Sequence, residues 1–141
     1  VLVIGMGRVG RSSYDVLHAQ LDDKVWGVES DIDKVRSHRD EGRHIILGDA
    51  EDADFWETRE LWHIKLIMLA MPSVTDISDI TKLLKLSDYK GRIAAIARYE
   101  DEREMLLEIG VDNVFNYYVE AGTGFAEESL HLLEELSGKP L

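Results

Sequence analysis

The first thirteen residues, VLVIGMGRVGRSS, set Gly5, Gly7 and Gly10 in the spacing G-x-G-x-x-G directly after four apolar residues. That spacing turns a strand into a helix around a phosphate group. In that reading Gly5 makes the tight turn, Gly7 lets the backbone approach a pyrophosphate, and Gly10 lets the helix pack on the sheet. Met6 and Val9 complete the loop, and Arg8 adds a guanidinium to the phosphates. The first turn of the helix offers free N–H groups and the positive end of its dipole. A glycine-rich turn alone needs no ligand; an acid downstream argues for one. Glu29 lies 29 − 10 = 19 residues past the last glycine, where about 20 is expected for a carboxylate that accepts from ribose hydroxyls. Its charge also disfavours a 2′-phosphate, so NAD is expected over NADP. Asp31 is the second candidate for that role, with Ser30 between them.

Three further stretches fall on the same rim. In GDAED (48–52), Asp49 and the Ala50 backbone sit beside an adenine, or Asp49 and Asp52 cap the next helix. Ala70 and Met71 follow the most apolar run, IKLIMLAMP (64–72), and either line the site or pack beneath it. Arg98 ends RIAAIAR (92–98), where it reaches a phosphate or pairs with Glu100 or Asp101. Catalytic groups are harder to find. His18, His38, His44, His63 and His131 show no metal-ligand spacing and lie beside no nucleophile, so each is expected on a surface or helix face. There is no cysteine, hence no thiol chemistry or disulfide framework, and no serine stands in a G-x-S-x-G elbow. Trp26, Trp56 and Trp62 are expected to be structural, with Trp56 on a helix inner face. A dehydrogenase needs a proton donor or acceptor beside the nicotinamide; no catalytic residue and no metal ligand is assigned in this chain.

Short β-type runs alternating with helical periodicity must position these groups. Strands are expected at 1–4, 24–29, 45–47, 64–72, 92–98 and, weakly, in NVFNYY (113–118). Helices are expected at 8–21, 31–41, 52–61, after Ser73, at 100–109 and at 125–136. In the first helix Val9, Val16, Leu17 and Leu21 are expected inward; Gly42 and Gly110 read as helix stops, and Ser73 with Asp76 as a capping pair. Parallel pairing through right-handed crossovers follows. The expected fold is α/β, a Rossmann-like doubly wound parallel sheet of order 3-2-1-4-5-6, a single domain over 1–141. Ligands then belong at the carboxyl ends of strands 1 and 4. The net charge of −12, with Lys and Arg scattered among acids, argues against a nucleic-acid or anionic-membrane partner. No apolar run reaches the roughly 20 residues of a membrane span, and no signal peptide is expected from the opening residues.

The residues VLVIGMGRVGRSSYDVL, Glu29 followed by DIDKV, ILGDAED and IKLIMLAMP resemble the RCK domains, also called nucleotide-binding N-terminal Trk (TrkA-N) domains, that regulate potassium channels and transporters. The stretch from RIAAIARYEDEREMLLEIGV through VEAGTGFAEESLHLL resembles the cytoplasmic tails of glutathione-regulated potassium-efflux antiporters. The resemblance spans essentially the whole chain. It implies a cytoplasmic regulatory domain that binds NAD(H), AMP or ATP/ADP, pairs as a homodimer and couples ligand-dependent motion to a membrane transport domain. Carried onto this sequence, Gly5 to Gly10 form the phosphate loop, Glu29 with Ser30 holds ribose, and Asp49 and Ala50 flank adenine. Arg98 lies near the phosphates and Glu120 by the ligand or the dimer seam. Glu29 stands where the family more usually has Asp. Leu86 and Met105 are candidates for the seam.

The leading expectation is thus a nucleotide sensor that gates potassium or potassium/proton transport. Because the chain begins without Met inside a strand, it is expected to be a piece of a longer transporter. The alternative is the cofactor-binding half of an NAD-dependent oxidoreductase. A methyltransferase using S-adenosylmethionine also places an acid after strand 2, but the three-glycine spacing and Arg8 fit it less well.

Overall fold

The computed structural model describes residues 1–138; residues 139–141, the end of the expected domain, lie outside the described residues. Six strands, β1 (Leu2–Ile4), β2 (Trp26–Glu29), β3 (Ile45–Leu47), β4 (Leu66–Leu69), β5 (Arg92–Ala97) and β6 (Asn113–Asn116), form one sheet in the order 3-2-1-4-5-6. Every neighbouring pair is parallel, so every connection is a crossover. The helices are α1 (Arg8–Leu21), α2 (Ile32–Asp40), α3 (Ala53–Glu57), α4 (Val74–Leu86), α5 (Glu100–Glu108) and α6 (Tyr117–Ser137).

Side chains alternate across the pleat, and both faces of the inner strands are apolar. One face buries Leu2, Ile4, Ile67, Leu69 and Ile93 against Trp56, Ile77, Ile80, Leu84 and Leu106 from α3, α4 and α5. The other buries Val3, Val25 and Ile45 against Tyr14 and Val35 of α1 and α2. Each such side chain contributes roughly 1.5–3 kcal/mol. Trp56 also donates its indole N–H to the Ala50 carbonyl at 2.7 Å, which ties the turn after β3 to the core.

Several elements depart from the sequence expectation for identifiable reasons. The inward stripe of α1 is Gly10, Tyr14 and Leu17, while Val16 is 62% exposed and Leu21 lies at the surface. Contact of Gly10 with the Gly5 carbonyl sets the helix phase, and Val16 falls on the far side. The fourth run is expected to be buried on both faces, yet Leu66 and Met68 are only half-buried. On the α1 side no helix among the described residues covers β5 and β6, and Phe115 is exposed. The third helix stops at Glu57, and the chain crosses a 3-10 turn at Leu61–His63. The last helix starts eight residues before the expected Phe125, taking in Tyr117 and Tyr118 from the expected strand. Asn116 nucleates it by accepting the Val119 amide at 3.3 Å. None of the described residues of α6 is buried. Of the histidines expected on a surface or helix face, His38 takes the inner face of α2: it is buried, with its ring 2.9 Å from the Met6 carbonyl oxygen.

Candidate functional site

The carboxyl ends of β1, β2, β3 and β4 open onto one crevice of about 710 Å³. The strand ladder runs right up to its floor: the Gly5 amide donates to Val28, the Ala70 amide to Ile4 and the Gly48 amide to Glu29, all at 2.9–3.0 Å. Two glycines hold the turn from β1 into α1. Gly5 has φ +87°, and a Cβ there would lie 3.3 Å from the Met71 amide nitrogen. A Cβ on Gly10 would run into the Gly5 carbonyl oxygen and lie 2.8 Å from its carbon. These contacts draw α1 against the strand end, with Ala70 and Met71 of the β4 turn closing the other side.

Gly7 differs from both. A Cβ there would meet nothing within 4 Å, so its lack of a side chain leaves open space in the crevice. Gly7 is the N-cap of α1, its carbonyl accepting the Arg11 amide at 2.8 Å, and no side chain caps the helix. No acid lies in the first turn. The amides of Arg8, Val9 and Gly10 therefore have no protein acceptor among the described residues and carry the positive end of the helix dipole. Arg8 and Val9 line the same space.

Glu29 lines the crevice from the end of β2. Its Oε2 accepts the Ser30 amide at 2.8 Å and the Asp31 amide at 3.1 Å. The carboxylate is thus braced by its own turn, with Oε1 unpartnered among the described residues. Asp31 is not in the crevice: its Oδ1 accepts the Asp33 and Lys34 amides and caps α2. Across the crevice, Asp49 Oδ1 accepts the Glu51 amide at 2.9 Å. The Ala50 carbonyl is taken by Trp56, whereas the Ala50 amide has no partner among the described residues.

The structure brings together Gly5, Gly7, Arg8, Val9, Glu29, Ser30, Asp49, Ala50, Ala70 and Met71. It places five of the expected residues elsewhere. Gly10 lies beneath the turn, and Asp31 is the helix cap. Met6 points its side chain away into the core of the α1–α2 face, so close over Gly27 that a Cβ there would lie 2.6 Å from its sulfur. Arg98 borders a small adjoining cavity of about 180 Å³, with Tyr117, that shares Val9, Pro72 and Ile96 with the crevice. The alternative ion pair with Glu100 or Asp101 does not form; Glu100 pairs with Arg103 at 2.9 Å. Glu120 sits exposed in the first turn of α6, in neither cavity.

Three charged residues of the crevice escape sequence reasoning: Lys34, Glu51 and Asp76. Lys34 lies in the first turn of α2, three residues after its cap, so the Asp31 cap is the signal for it. Glu51 and Asp76 face each other across the β3 and β4 turns. Sharing a hydrogen bond with Asp76 pushes the Glu51 carboxyl above the usual range; desolvation and the charges of Asp76, Asp49 and Asp79 push the same way. Among the described residues no three His, Asp or Glu side chains cluster as ligands for a metal ion.

Fold and crevice together define a Rossmann-like α/β domain whose crevice opens at its topological switch point, against the start of α1. Residues 1–117 match the TrkA-N domain family, and the chain belongs to that family. The TrkA-N domain of the inner membrane protein YbaL from Escherichia coli is similar, with a TM-score of 0.76 and 25% identity over 89% of this chain and 93% of that one. The Kef CTD of Shewanella denitrificans in its AMP-bound form gives 0.72 and 21% over 94% of this chain and 79% of that one. The GsuK channel bound to NAD gives 0.70 and 17% over 81% of this chain and 20% of that one. The last two likenesses concern the fold. No curated protein matches the chain in sequence. No helix among the described residues is long and apolar enough to cross a membrane.

Proposed function

We propose that this chain is a regulatory domain that binds an adenine nucleotide, NAD(H) or AMP/ATP, in the crevice and transmits its occupancy to a membrane transport domain. One observation carries this reading: the empty Cβ position of Gly7, facing the unpartnered amides that start α1. Phosphate at those amides sets the sugar toward Glu29, whose Oε1 accepts from the vicinal hydroxyls. The base then reaches the turn after β3. There the Ala50 amide donates and the Asp49 carboxylate accepts. Adenine presents acceptor N1 beside its 6-amino donor and fits that pair; guanine presents the reverse.

Membership of the TrkA-N family supports regulation over catalysis, and the AMP, NAD and ADP bound by Kef CTD and GsuK support the ligand class. The controlled process in this reading is potassium or potassium/proton transport, with the domain on the cytoplasmic side and joined to the transporter in the same or a partner chain. The ligand shifts the gate only through its differential affinity for two arrangements of the domain, a coupling of about 1–3 kcal/mol in typical cases. In this reading the arrangements involve a partner copy; Leu86 and Met105, expected at the seam, are both exposed, and a larger apolar surface lies elsewhere. Along α6, Tyr118, Val119, Phe125, Leu132, Leu133 and Leu136 are all at least half exposed, next to the uncovered face of β6. In this reading α6 of one copy covers that face of another.

Calorimetry on the purified chain tests the proposal. AMP, ATP, NAD and NADH are titrated to millimolar concentration, with GMP as the control. Saturable binding of at least one adenine ligand, and weaker GMP binding, is expected. No heat from any of them overturns the proposal.

A further inference from the structure

We infer that His38 is a positioning residue for the phosphate cradle: it holds the Met6–Gly7 peptide so that the Gly7 amide faces the crevice. The inference rests on the nucleotide reading above, since its consequence is a stronger grip on phosphate.

His38, on α2, is 8% exposed and touches polar groups at both ring nitrogens. Its Nε2 lies 2.9 Å from the Met6 carbonyl oxygen, and its Nδ1 lies 3.1 Å from Arg43 Nη1. The protons on this ring are fixed by its neighbours. Arginine has donors only and a carbonyl oxygen only accepts. Nδ1 must therefore accept from Arg43, and Nε2 must carry the hydrogen that it donates to Met6. Arg43 is itself held by Asp15, through bonds of 2.9 and 3.0 Å, and by Glu41 at 2.7 Å. A hydrogen bond to Asp15 raises the Arg43 pKa further above its ordinary value.

The chain from Asp15 through Arg43 and His38 ends on one backbone oxygen inside the glycine loop. There are no cis peptide bonds among the described residues, and in a trans peptide the carbonyl and the next N–H point in opposite directions. Holding the Met6 oxygen toward α2 thus turns the Gly7 N–H away from it, to the side where Gly7 lines the crevice. The other handle on this peptide is the Met6 side chain, anchored over Gly27 in the core. With carbonyl and side chain both held, the peptide cannot rotate without breaking one of them. The glycines give the loop its shape; His38 gives this amide its direction.

The experiment compares wild type, His38→Leu and His38→Gln by calorimetry with AMP and with adenosine, which lacks the phosphate. His38→Leu removes the donor; His38→Gln keeps an N–H close to the position of Nε2. His38→Leu is expected to weaken AMP about tenfold or more, the worth of one hydrogen bond to a charged acceptor. Adenosine affinity stays within about twofold, and His38→Gln recovers AMP binding. His38→Leu that binds AMP like wild type, or loses AMP and adenosine equally, overturns the inference, as does a His38→Gln variant that recovers nothing. Wild type that binds neither AMP nor NAD(H) overturns the nucleotide reading itself and this inference with it. Should His38→Leu not fold, nitrogen-15 spectra of the wild-type imidazole decide: the Nε2–H tautomer supports the inference, the Nδ1–H tautomer overturns it.

Discussion

Gly7 and Gly10 are three residues apart in one turn, and alanine at the two positions should do opposite things. At Gly10 a methyl group collides with the Gly5 carbonyl oxygen, a backbone atom in a turn fixed at φ +87° and unable to withdraw. Alanine in a helix gains about 1 kcal/mol over glycine, but overpacking of this kind costs typically 1–3 kcal/mol and more against rigid backbone. A net loss of about 1–3 kcal/mol is expected for Gly10→Ala. For a chain of 141 residues that lowers the melting temperature by roughly 3–10 °C, at about 2 cal/mol/K of unfolding entropy per residue. At Gly7 the backbone has φ −75° and the methyl meets nothing, so Gly7→Ala should change stability by about 1 kcal/mol or less. In the proposed reading its methyl would stand where a phosphate oxygen approaches the amides. Losing two hydrogen bonds to a charged acceptor at about 1.5 kcal/mol each removes about 3 kcal/mol, or roughly 100-fold in affinity. Differential scanning calorimetry and titration with AMP on both variants make the test. Gly7→Ala that binds AMP like wild type refutes the cradle. Gly10→Ala that melts higher than wild type refutes the packing argument.

Glu29 should exclude a 2′-phosphate: NADP(H) is expected to bind at least about tenfold more weakly than NAD(H), and Glu29→Gln should narrow the gap in a competitive titration. Asp112 accepts the Ile93 amide at 2.8 Å and Arg92 at 3.1 Å. Partial burial raises its pKa, but those bonds and the charges of Arg92 and Lys85 outweigh it and leave it below the ordinary 3.8. A carboxylate depressed in the folded state stabilises above its unfolded pKa and loses that stabilisation as pH falls through the folded value. Denaturant midpoints measured from pH 5 down to pH 2 should therefore fall less steeply for Asp112→Asn than for wild type. For the pairing of copies, sedimentation of the wild-type chain should show a dimer, and Phe125→Asp with Leu133→Asp should yield a folded monomer; an unchanged dimer removes α6 from the seam.

The strand order is legible in the sequence because it follows from local signals alone. The alternation of apolar runs with helical periods, the cap at Ser73 and the stops at Gly42 and Gly110 are each set within a few residues. Their sum leaves little freedom under right-handed crossovers. The glycine turn and the position of Glu29 beside it are legible for the same reason, from three glycines and the acid of the next strand. What escapes depends on distant contacts. The inward stripe of α1 is phased by Gly10 against Gly5, so a hydrophobic count places Val16 inward although it is 62% exposed. Asp31 and Glu29 are two residues apart and equally acidic; only the geometry of the turn decides that one caps α2 and the other faces the crevice. His38 has no visible role in the sequence, because its partner Met6 is 32 residues away. The uncovered α6 is hidden for another reason. Its apolar residues read as an inward face, yet within one copy they meet no core.

A chain of net charge −12 is an unpromising anion binder if charge is summed over the molecule. In the proposed reading the crevice separates the signs over a short distance. The first turn of α1 carries no acid: its uncharged backbone amides and helix dipole are fixed before any ligand arrives, and Arg8 stands beside them. Glu29 and Asp49 would then meet the sugar and base, where a nucleotide presents hydroxyl and amino donors rather than charge. The Debye length at physiological salt is about 8 Å. The acids elsewhere on the surface are therefore largely screened, while contacts within the crevice are not. On this reading an acidic protein holds a nucleotide because its acids face the part of the ligand that donates. The same arrangement should reject a ligand with phosphate at the ribose 2′ position, where nucleotide and protein would set two negative charges together.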